Sequence, residues 1–159
     1  MRKSAMLLAI LAACGSKPPP KVVEPPTRPL GPEEIGPVPP EQRHVDAETY
    51  TVDVDAPPFA SVKEKVQAKV IVKAKTGMAI SATDEWKMIT KAANDMDVTS
   101  PILTRATALV LPDTITYVVE VVPLRAGVRH VTFKLDGSVC DEQFCDVVGD
   151  QVSWNLEVR

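Results

Sequence analysis

From about Val45 onward, apolar and polar residues alternate with a period of two, which is typical of β-strands that bury one face. The clearest case runs from Lys65 to Lys75, where valine or alanine fills every second position and lysine or glutamine fills most of the others. Further strand-like segments follow this pattern or lie between turn residues, at 50–54, 102–111, 115–122, 131–135 and 152–158. At least six strands with frequent turns favour an antiparallel β-sandwich over alternating strands and helices.

Two segments of this β-pattern have more than one interpretation. The lysines between Lys65 and Lys75 are interpreted as the solvated face of an edge or outer strand, with an anion-binding stripe as the alternative. Residues 82–94 have a helix-like composition, and Thr83 or Asp84 could cap a helix there. We therefore expect one short helix or a long loop insertion, from which Trp86 packs in the core or covers a reactive site.

The segment from Lys17 to Pro40 contains ten of the fifteen prolines of the chain. Proline fixes φ and removes a backbone donor, so this segment is predicted to be a disordered, semi-rigid spacer without helices or sheet ladders. A proline-rich ligand for an aromatic groove is the alternative.

The amino terminus has the pattern of an export signal, with a positive start at Met1–Lys3 and an apolar run to Ala12 that is too short to span a bilayer. The residues up to Cys14 resemble the lipobox of bacterial lipoproteins. This resemblance implies that Cys14 is acylated and anchors the protein, whereas an ordinary signal peptide would discard Cys14. Gly15 and Ser16, with no aspartate directly after Cys14, resemble outer-membrane sorting signals of enteric bacteria, which favours the outer membrane. The predicted organisation is a signal peptide (1–13), a lipidated tether (14–44) and a folded domain (45–159).

Composition removes several classes of function. A net charge of -3, a pI near 5.4 and 4% aromatic residues provide neither the basic field nor the stacking surface that nucleic acids require. The sequence has no glycine-rich phosphate loop and no hydrolase motif, so no cofactor is expected. Its two histidines, His44 and His130, are far apart and have no ligand spacing, so no metal site is expected either.

Cys140 and Cys145 are the two cysteines left after processing, and they could form a reactive dithiol, a small staple or half of a metal site. Four intervening residues suit a hairpin connection, which would bring the two cysteines within disulfide range. A staple that closes six residues contributes only about 2 kcal/mol to stability, which favours redox exchange. The acidic neighbours, such as Asp141 and Asp146, disfavour a thiolate and suit exchange that a partner activates.

The segment Cys140-Asp141-Glu142-Gln143-Phe144-Cys145, which follows one strand and precedes a final alternating strand, resembles the amino-terminal periplasmic domain of the thiol:disulfide interchange protein DsbD. The resemblance implies an immunoglobulin-like fold in which electrons pass between a membrane-embedded donor or thioredoxin-like partner and the dithiol. It also implies that Cys145 forms mixed disulfides, that Cys140 resolves them, and that Trp86 is the candidate for a cap over the site. The chain departs from the family at Gly137, where many members have an aromatic residue, and in lacking a proline soon after Cys145.

The leading hypothesis is a lipid-anchored, periplasm-facing domain that exchanges the Cys140/Cys145 disulfide with thioredoxin-like or membrane electron-donor proteins. We expect a free-standing version of the family domain, without a transmembrane conductor or thioredoxin domain after Arg159, so that the electron donor would be another protein. The alternative is a non-catalytic envelope lipoprotein in which a β-sandwich binds or organises other proteins and the disulfide is structural.

Overall fold

The computed structural model describes residues 38–159, and the predicted signal peptide, the predicted acylation site Cys14 and most of the predicted proline-rich tether lie outside the described residues. The described part contains one 3-10 helix, Arg105–Thr107, and these strands: β1 (His44–Asp46), β2 (Tyr50–Asp55), β3 (Phe59–Ala60), β4 (Val66–Ala74), β5 (Ala79–Ile80), β6 (Lys87–Ala92), β7 (Met96–Val98), β8 (Ile102–Thr104), β9 (Leu109–Val110), β10 (Thr114–Pro123), β11 (Gly127–Cys140), β12 (Cys145–Val148) and β13 (Gln151–Val158). No helix among these residues is long and apolar enough to cross a bilayer.

The strands form two sheets. The first has the order β1-β2-β4-β10-β7, with β9 paired to β10, and the second has the order β3-β13-β11-β6-β8, with β5 and β12 paired to β11. All pairings are antiparallel except that of β3 with β13. A single hydrophobic core takes residues from both sheets, so the predicted all-β, antiparallel sandwich is confirmed.

Strand β4 shows how the alternating pattern produces this core. Its inward-facing positions are all apolar and buried: Val66, Ala68, Val70, Val72 and Ala74. Lys69 and Lys73 between them are exposed, as the solvated-face interpretation predicted. However, β4 lies between β2 and β10, so it is not an edge strand. Its lysines face solvent from the middle of the first sheet.

Residues 82–94 do not form the short helix that was one of the two expectations. Residues 82–86 form a loop, and β6 follows. Met88 and Thr90 are buried, and the other positions of β6 are less buried. Strand β6 pairs with β11 on one side and with β8 on the other. Differences in intrinsic helix propensity are at most about 0.7 kcal/mol per ordinary residue. The helix-like composition is therefore outweighed by the pairing of β6 with strands on both of its edges.

Strand β11 and the two strands that follow form one long hairpin. The pairs Val131↔Trp154, Gly137↔Val148 and Cys140↔Cys145 keep the same register from end to end. The hairpin therefore contains no bulge that would turn its side chains to the other face. Consequently, odd-numbered residues of β11 such as Leu135 and Val139 point into the core, and even-numbered residues point outward.

The described residues just before β1 pack along β13. The backbone N–H of Gln42 donates to Ser153 Oγ at 2.9 Å, and the Ser153 N–H donates to the Gln42 carbonyl at 2.8 Å. The Asn155 side chain donates to the Pro39 carbonyl at 3.2 Å. Within the described residues, contacts with the sandwich therefore already include Pro39, a few residues before the position at which the alternating pattern starts.

Candidate functional site

Cys140 and Cys145 form a disulfide at the closed end of the long hairpin, with an S–S distance of 2.03 Å and a Cα–Cα distance of 4.0 Å. Cys140 ends β11, Cys145 begins β12, and the two residues are direct cross-strand partners. The neighbouring pair carries a backbone hydrogen bond, from the Asp141 N–H to the Phe144 carbonyl at 3.0 Å. Hydrogen-bonded and non-hydrogen-bonded pairs alternate in an antiparallel ladder, so the cysteines form a non-hydrogen-bonded pair, the type with the closest Cα atoms.

The two cysteines differ in their surroundings. Cys140 is half-buried, and β5 pairs alongside it, with Ala79 as its cross-strand partner. Cys145 is exposed, and β12 pairs with β11 alone among the described strands. One half of the disulfide therefore lies inside the sheet, and the other half lies at an open edge.

The turn between the cysteines is held by Asp141. Its carboxylate accepts hydrogen bonds from the backbone N–H groups of Gln143 at 2.7 Å and Phe144 at 2.8 Å. The bonds from Phe144 and Gln143 hold the pKa of Asp141 below its ordinary value, because they stabilise the ionised form. The side chain of Asp141 thus supports the fold of the turn, a role that its acidic character did not suggest.

We expect the turn to loosen in acid. The folded-state pKa of Asp141 is depressed, so its contribution to stability is complete above the unfolded value of about 3.9 and is lost as the pH falls through the folded value. The amide proton shifts of Gln143 and Phe144, measured by NMR, should both report this transition at a pH below the ordinary Asp range. Asp141→Asn should abolish it and Glu142→Gln should leave it unchanged. A midpoint in the ordinary range would contradict the hydrogen-bonding role.

Residues 81–86 form a loop that interrupts the edge beside β11. Strand β5 pairs with Val139 and Cys140, β6 pairs with residues 131–136, and the loop lies between them. On the outer face, the buried Ser138 hydroxyl donates to the Asp84 carboxylate and lies 3.8 Å from Cys140 Sγ. This places a hydroxyl–carboxylate pair beside Cys140.

Trp86, at the end of this loop, packs against Gly137. Its side chain is only 1% exposed, and a Cβ on Gly137 would overlap its six-membered ring. A Cβ at this position would point to the same face as Leu135 and Val139, so the ring lies on the core side of β11. The disulfide lies on the outer side. The predicted cap role of Trp86 stays a prediction, and this arrangement does not support it.

Side chains from β2 and the residue before it tie the hairpin end to the first sheet. Thr49 Oγ1 donates to Asp146 at 2.6 Å, and the Tyr50 hydroxyl donates to Asp150 at 2.5 Å. Burial, together with the Asp150 carboxylate, raises the pKa of Tyr50, so the phenol remains a donor throughout the physiological range. The base of β12 is therefore fixed, although its outer edge is open.

The two histidines, for which the sequence predicted no site, lie elsewhere. His44 Nδ1 is 2.7 Å from Asp53 on the outer face of the first sheet, and His130 Nδ1 is 2.6 Å from Asn155 on β13. Among the described residues, no group of three or more His, Cys, Asp and Glu side chains is arranged to hold a metal ion. The sequence pointed to the cysteine pair, whereas the contacts of Ser138 and Asp84 depend on long-range pairing and gave no local signal.

No protein-family model and no curated protein sequence matches the chain. Solved structures resemble it: Escherichia coli alpha-2-macroglobulin has a TM-score of 0.50 at 14% identity over 71% of this chain, which spans 7% of the length of that protein. A CARDB domain from Pyrococcus furiosus has a TM-score of 0.45 at 13% identity, covering 72% of this chain and 93% of that one. The GAE domain of GGA2p from Saccharomyces cerevisiae has a TM-score of 0.45 at 10% identity, covering 72% and 96%. At these identities the likeness concerns the fold alone, which is an immunoglobulin-like β-sandwich.

Proposed function

We propose that this protein is a thiol:disulfide exchange module of the bacterial cell envelope that passes reducing equivalents through Cys140 and Cys145. The observation that carries the proposal is the position of the disulfide, with Cys145 exposed at an open strand edge and Cys140 covered by β5. A thiolate attacks a disulfide along the S–S axis, from the side opposite the leaving sulfur. Attack on Cys145 thus comes from the open edge, whereas attack on Cys140 would have to come from the side of β5.

The reaction follows from this asymmetry. A partner thiolate attacks Cys145 Sγ, a new S–S bond forms between the partner and Cys145, and the Cys140–Cys145 bond breaks. Cys140 leaves as a thiolate and takes a proton from solvent. A second thiol of the partner then attacks the mixed disulfide and releases Cys145 as a thiolate, which also takes a proton. The protein gains two electrons, and the partner dithiol becomes a disulfide.

The disulfide contributes little to stability, which favours exchange over a purely structural bond. The loop that the bond closes is six residues long, so the chain-entropy contribution is only about 2 kcal/mol. The ladder that continues from Gly127 to Cys140 already fixes the register of the hairpin. The carboxylates of Asp141, Glu142 and Asp146 oppose thiolate formation, so a partner with its own activated thiolate would drive the first step.

The location in the proposal rests on sequence. The apolar run before Cys14 supports export and acylation, and the proline-rich segment after it supports a tether between the membrane and the domain. The resemblance of the segment from Cys140 to Cys145 to the amino-terminal domain of DsbD supports thioredoxin-like or membrane electron-donor proteins as partners.

A redox titration of the full-length protein against glutathione tests the proposal. We expect a reduction potential above about -300 mV, the range of exchangeable rather than structural disulfides. We also expect exchange with a purified protein of thioredoxin fold. A lower potential together with no exchange would reclassify the bond as structural.

A second candidate function is a non-catalytic envelope module with a structural disulfide. The observation that favours it is the pair of hydrogen bonds from Thr49 and Tyr50, which fix the end of the hairpin to the first sheet. A structural disulfide would hold the same end of the hairpin in place. It predicts that Cys140→Ser/Cys145→Ser lowers the free energy of unfolding and leaves disulfide handling in the envelope unchanged.

A further inference from the structure

The outer edge of β12 has backbone groups that point away from the sheet. The Asp141 N–H donates to the Phe144 carbonyl at 3.0 Å, and the Leu135 N–H donates to the Asp150 carbonyl at 2.9 Å. These two hydrogen bonds identify which residue pairs of the ladder are hydrogen-bonded. The pairs between them direct their N–H and C=O groups outward. Cys145 and Val147 belong to this outward set.

The rest of the same edge shows that these groups bind other segments. The N–H of Ser153 donates to the Gln42 carbonyl at 2.8 Å, and that of Glu157 donates to the Pro58 carbonyl at 3.0 Å. The N–H of Asn155 donates to Glu41 Oε1 at 2.9 Å. Within residues 38–159, no such partner is present for Cys145 or Val147. The edge is therefore occupied along β13 and open along β12.

We infer that the open edge of β12 binds an extended segment of the exchange partner as an added strand, with the partner cysteine placed opposite Cys145. This inference rests on the proposed function and names the form of its partner. An added strand would use the outward N–H and C=O of Cys145, which makes a hydrogen-bonded pair with Cα atoms about 5.5 Å apart. A cysteine at that position lies on the edge side of Cys145, from which attack is in line with the Cys140–Cys145 bond.

Side chains at this edge define the chemistry of the segment. Val147 is 68% exposed on the same face as Cys145, and Phe144 is 53% exposed on the other face. An apolar residue two positions from the partner cysteine would cover Val147, because cross-strand neighbours on one face are two residues apart.

The charged side chains of the chain segment that carries this edge have a single sign. Residues 135–158 contain six carboxylates and no lysine, arginine or histidine: Asp136, Asp141, Glu142, Asp146, Asp150 and Glu157. A field of one sign attracts a segment of the opposite charge and raises its rate of association. The expected occupant is an extended, basic segment that contains a cysteine.

The test uses a synthetic seven-residue peptide with a central cysteine, valine two positions to each side, threonine between, and lysine at both ends. Mixed-disulfide formation with the oxidised full-length protein is followed by mass spectrometry, with glutathione as the reference thiol. Val147→Pro removes the outward N–H without removing a bond of the ladder, and Val147→Thr keeps that N–H as the matched control. We expect Val147→Pro to slow mixed-disulfide formation with the peptide about five-fold, which is the effect of one hydrogen bond. The rate of mixed-disulfide formation with glutathione should stay unchanged.

Two further arms keep the result independent of the folding of one variant. N-methylation of the peptide cysteine should slow the reaction of the unaltered protein by a similar factor. Replacing both lysines of the parent peptide by glutamate should also slow its reaction with the protein. Added salt should reduce the difference in rate between the lysine and the glutamate peptide. Equal rates for the parent and N-methylated peptides would overturn the inference, as would a dimer of the oxidised protein that Val147→Pro dissociates, because the edge would then bind a second copy.

Failure of the proposed function would give a different result. If neither glutathione nor the peptide forms a mixed disulfide, exchange is absent. A peptide with serine in place of cysteine then tests the edge alone by calorimetry. Binding of this peptide that Val147→Pro weakens and Val147→Thr retains would preserve the added strand, and no binding would exclude it.

Discussion

Cys140→Ala is expected to make the protein a trap for thioredoxin-fold partners, and Cys145→Ala is not. The remaining thiol of Cys140→Ala is the exposed Cys145 at the open edge, whereas Cys145→Ala leaves a half-buried thiol beside β5. The reagent is a partner with one active-site cysteine, present as its thionitrobenzoate mixed disulfide. Attack by Cys145 forms the new S–S bond and releases coloured thionitrobenzoate. Because exposure governs access to the thiolate, we expect Cys140→Ala to react at least about ten-fold faster than Cys145→Ala.

The control for this experiment is Cys140→Ala/Cys145→Ala, with Cys14→Ser in every variant so that only the pair reacts. Faster reaction of Cys145→Ala would reverse the two roles. No reaction of either single variant would support a structural disulfide.

The second large effect concerns the contact of Trp86 with Gly137. Trp86→Ala should lower the free energy of unfolding by about 3–5 kcal/mol through lost burial and a cavity. Gly137→Ala should lower it by about 1–3 kcal/mol, because the added methyl group overlaps the indole ring. Combined with Trp86→Ala, the same methyl group enters the cavity, so the cost of Gly137→Ala should disappear. Denaturant unfolding of the four proteins in this cycle measures the coupling.

Gly149→Ala is the matched control, since a Cβ there has no neighbour within 4 Å. Additive effects of Trp86→Ala and Gly137→Ala would contradict the contact. The same variants test the cap role. The indole ring lies on the core side of β11, so Trp86→Ala that remains folded should exchange with glutathione at the unaltered rate. A marked acceleration would mean that the ring shields the disulfide.

The sequence predicted those parts of the fold that depend on local pattern. Strand β4 and the alternating face of β13 were found because burial on one face leaves a period of two in the sequence. The cysteine pairing was predicted for a related reason, since four intervening residues are a common length for the connection of a hairpin. In these cases the information lies within a few residues of the element.

The parts that the sequence did not predict depend on long-range pairing. The residues of β6 have a helix-like composition, and only their position between β11 and β8 makes them a strand. Gly137 looked like a departure from a family pattern, but the structure shows that an aromatic ring from the loop at 81–86 fills the space beside it. The open edge of β12 likewise depends on where the residues before β1 pack, which no local pattern encodes.

The register of the long hairpin also has a consequence for how the disulfide forms during folding. Its cross-strand contacts start at the turn and lie close in sequence, so zipping from the turn is expected on the microsecond scale of hairpin formation. The pairing of β2 with β4 and β10 closes much longer loops and should form later. The cysteines would therefore meet while most of the chain is still unfolded, and if Cys14 is acylated, as proposed, no third thiol competes for pairing. We expect oxidation of this protein to proceed without an isomerase, ahead of completion of its core.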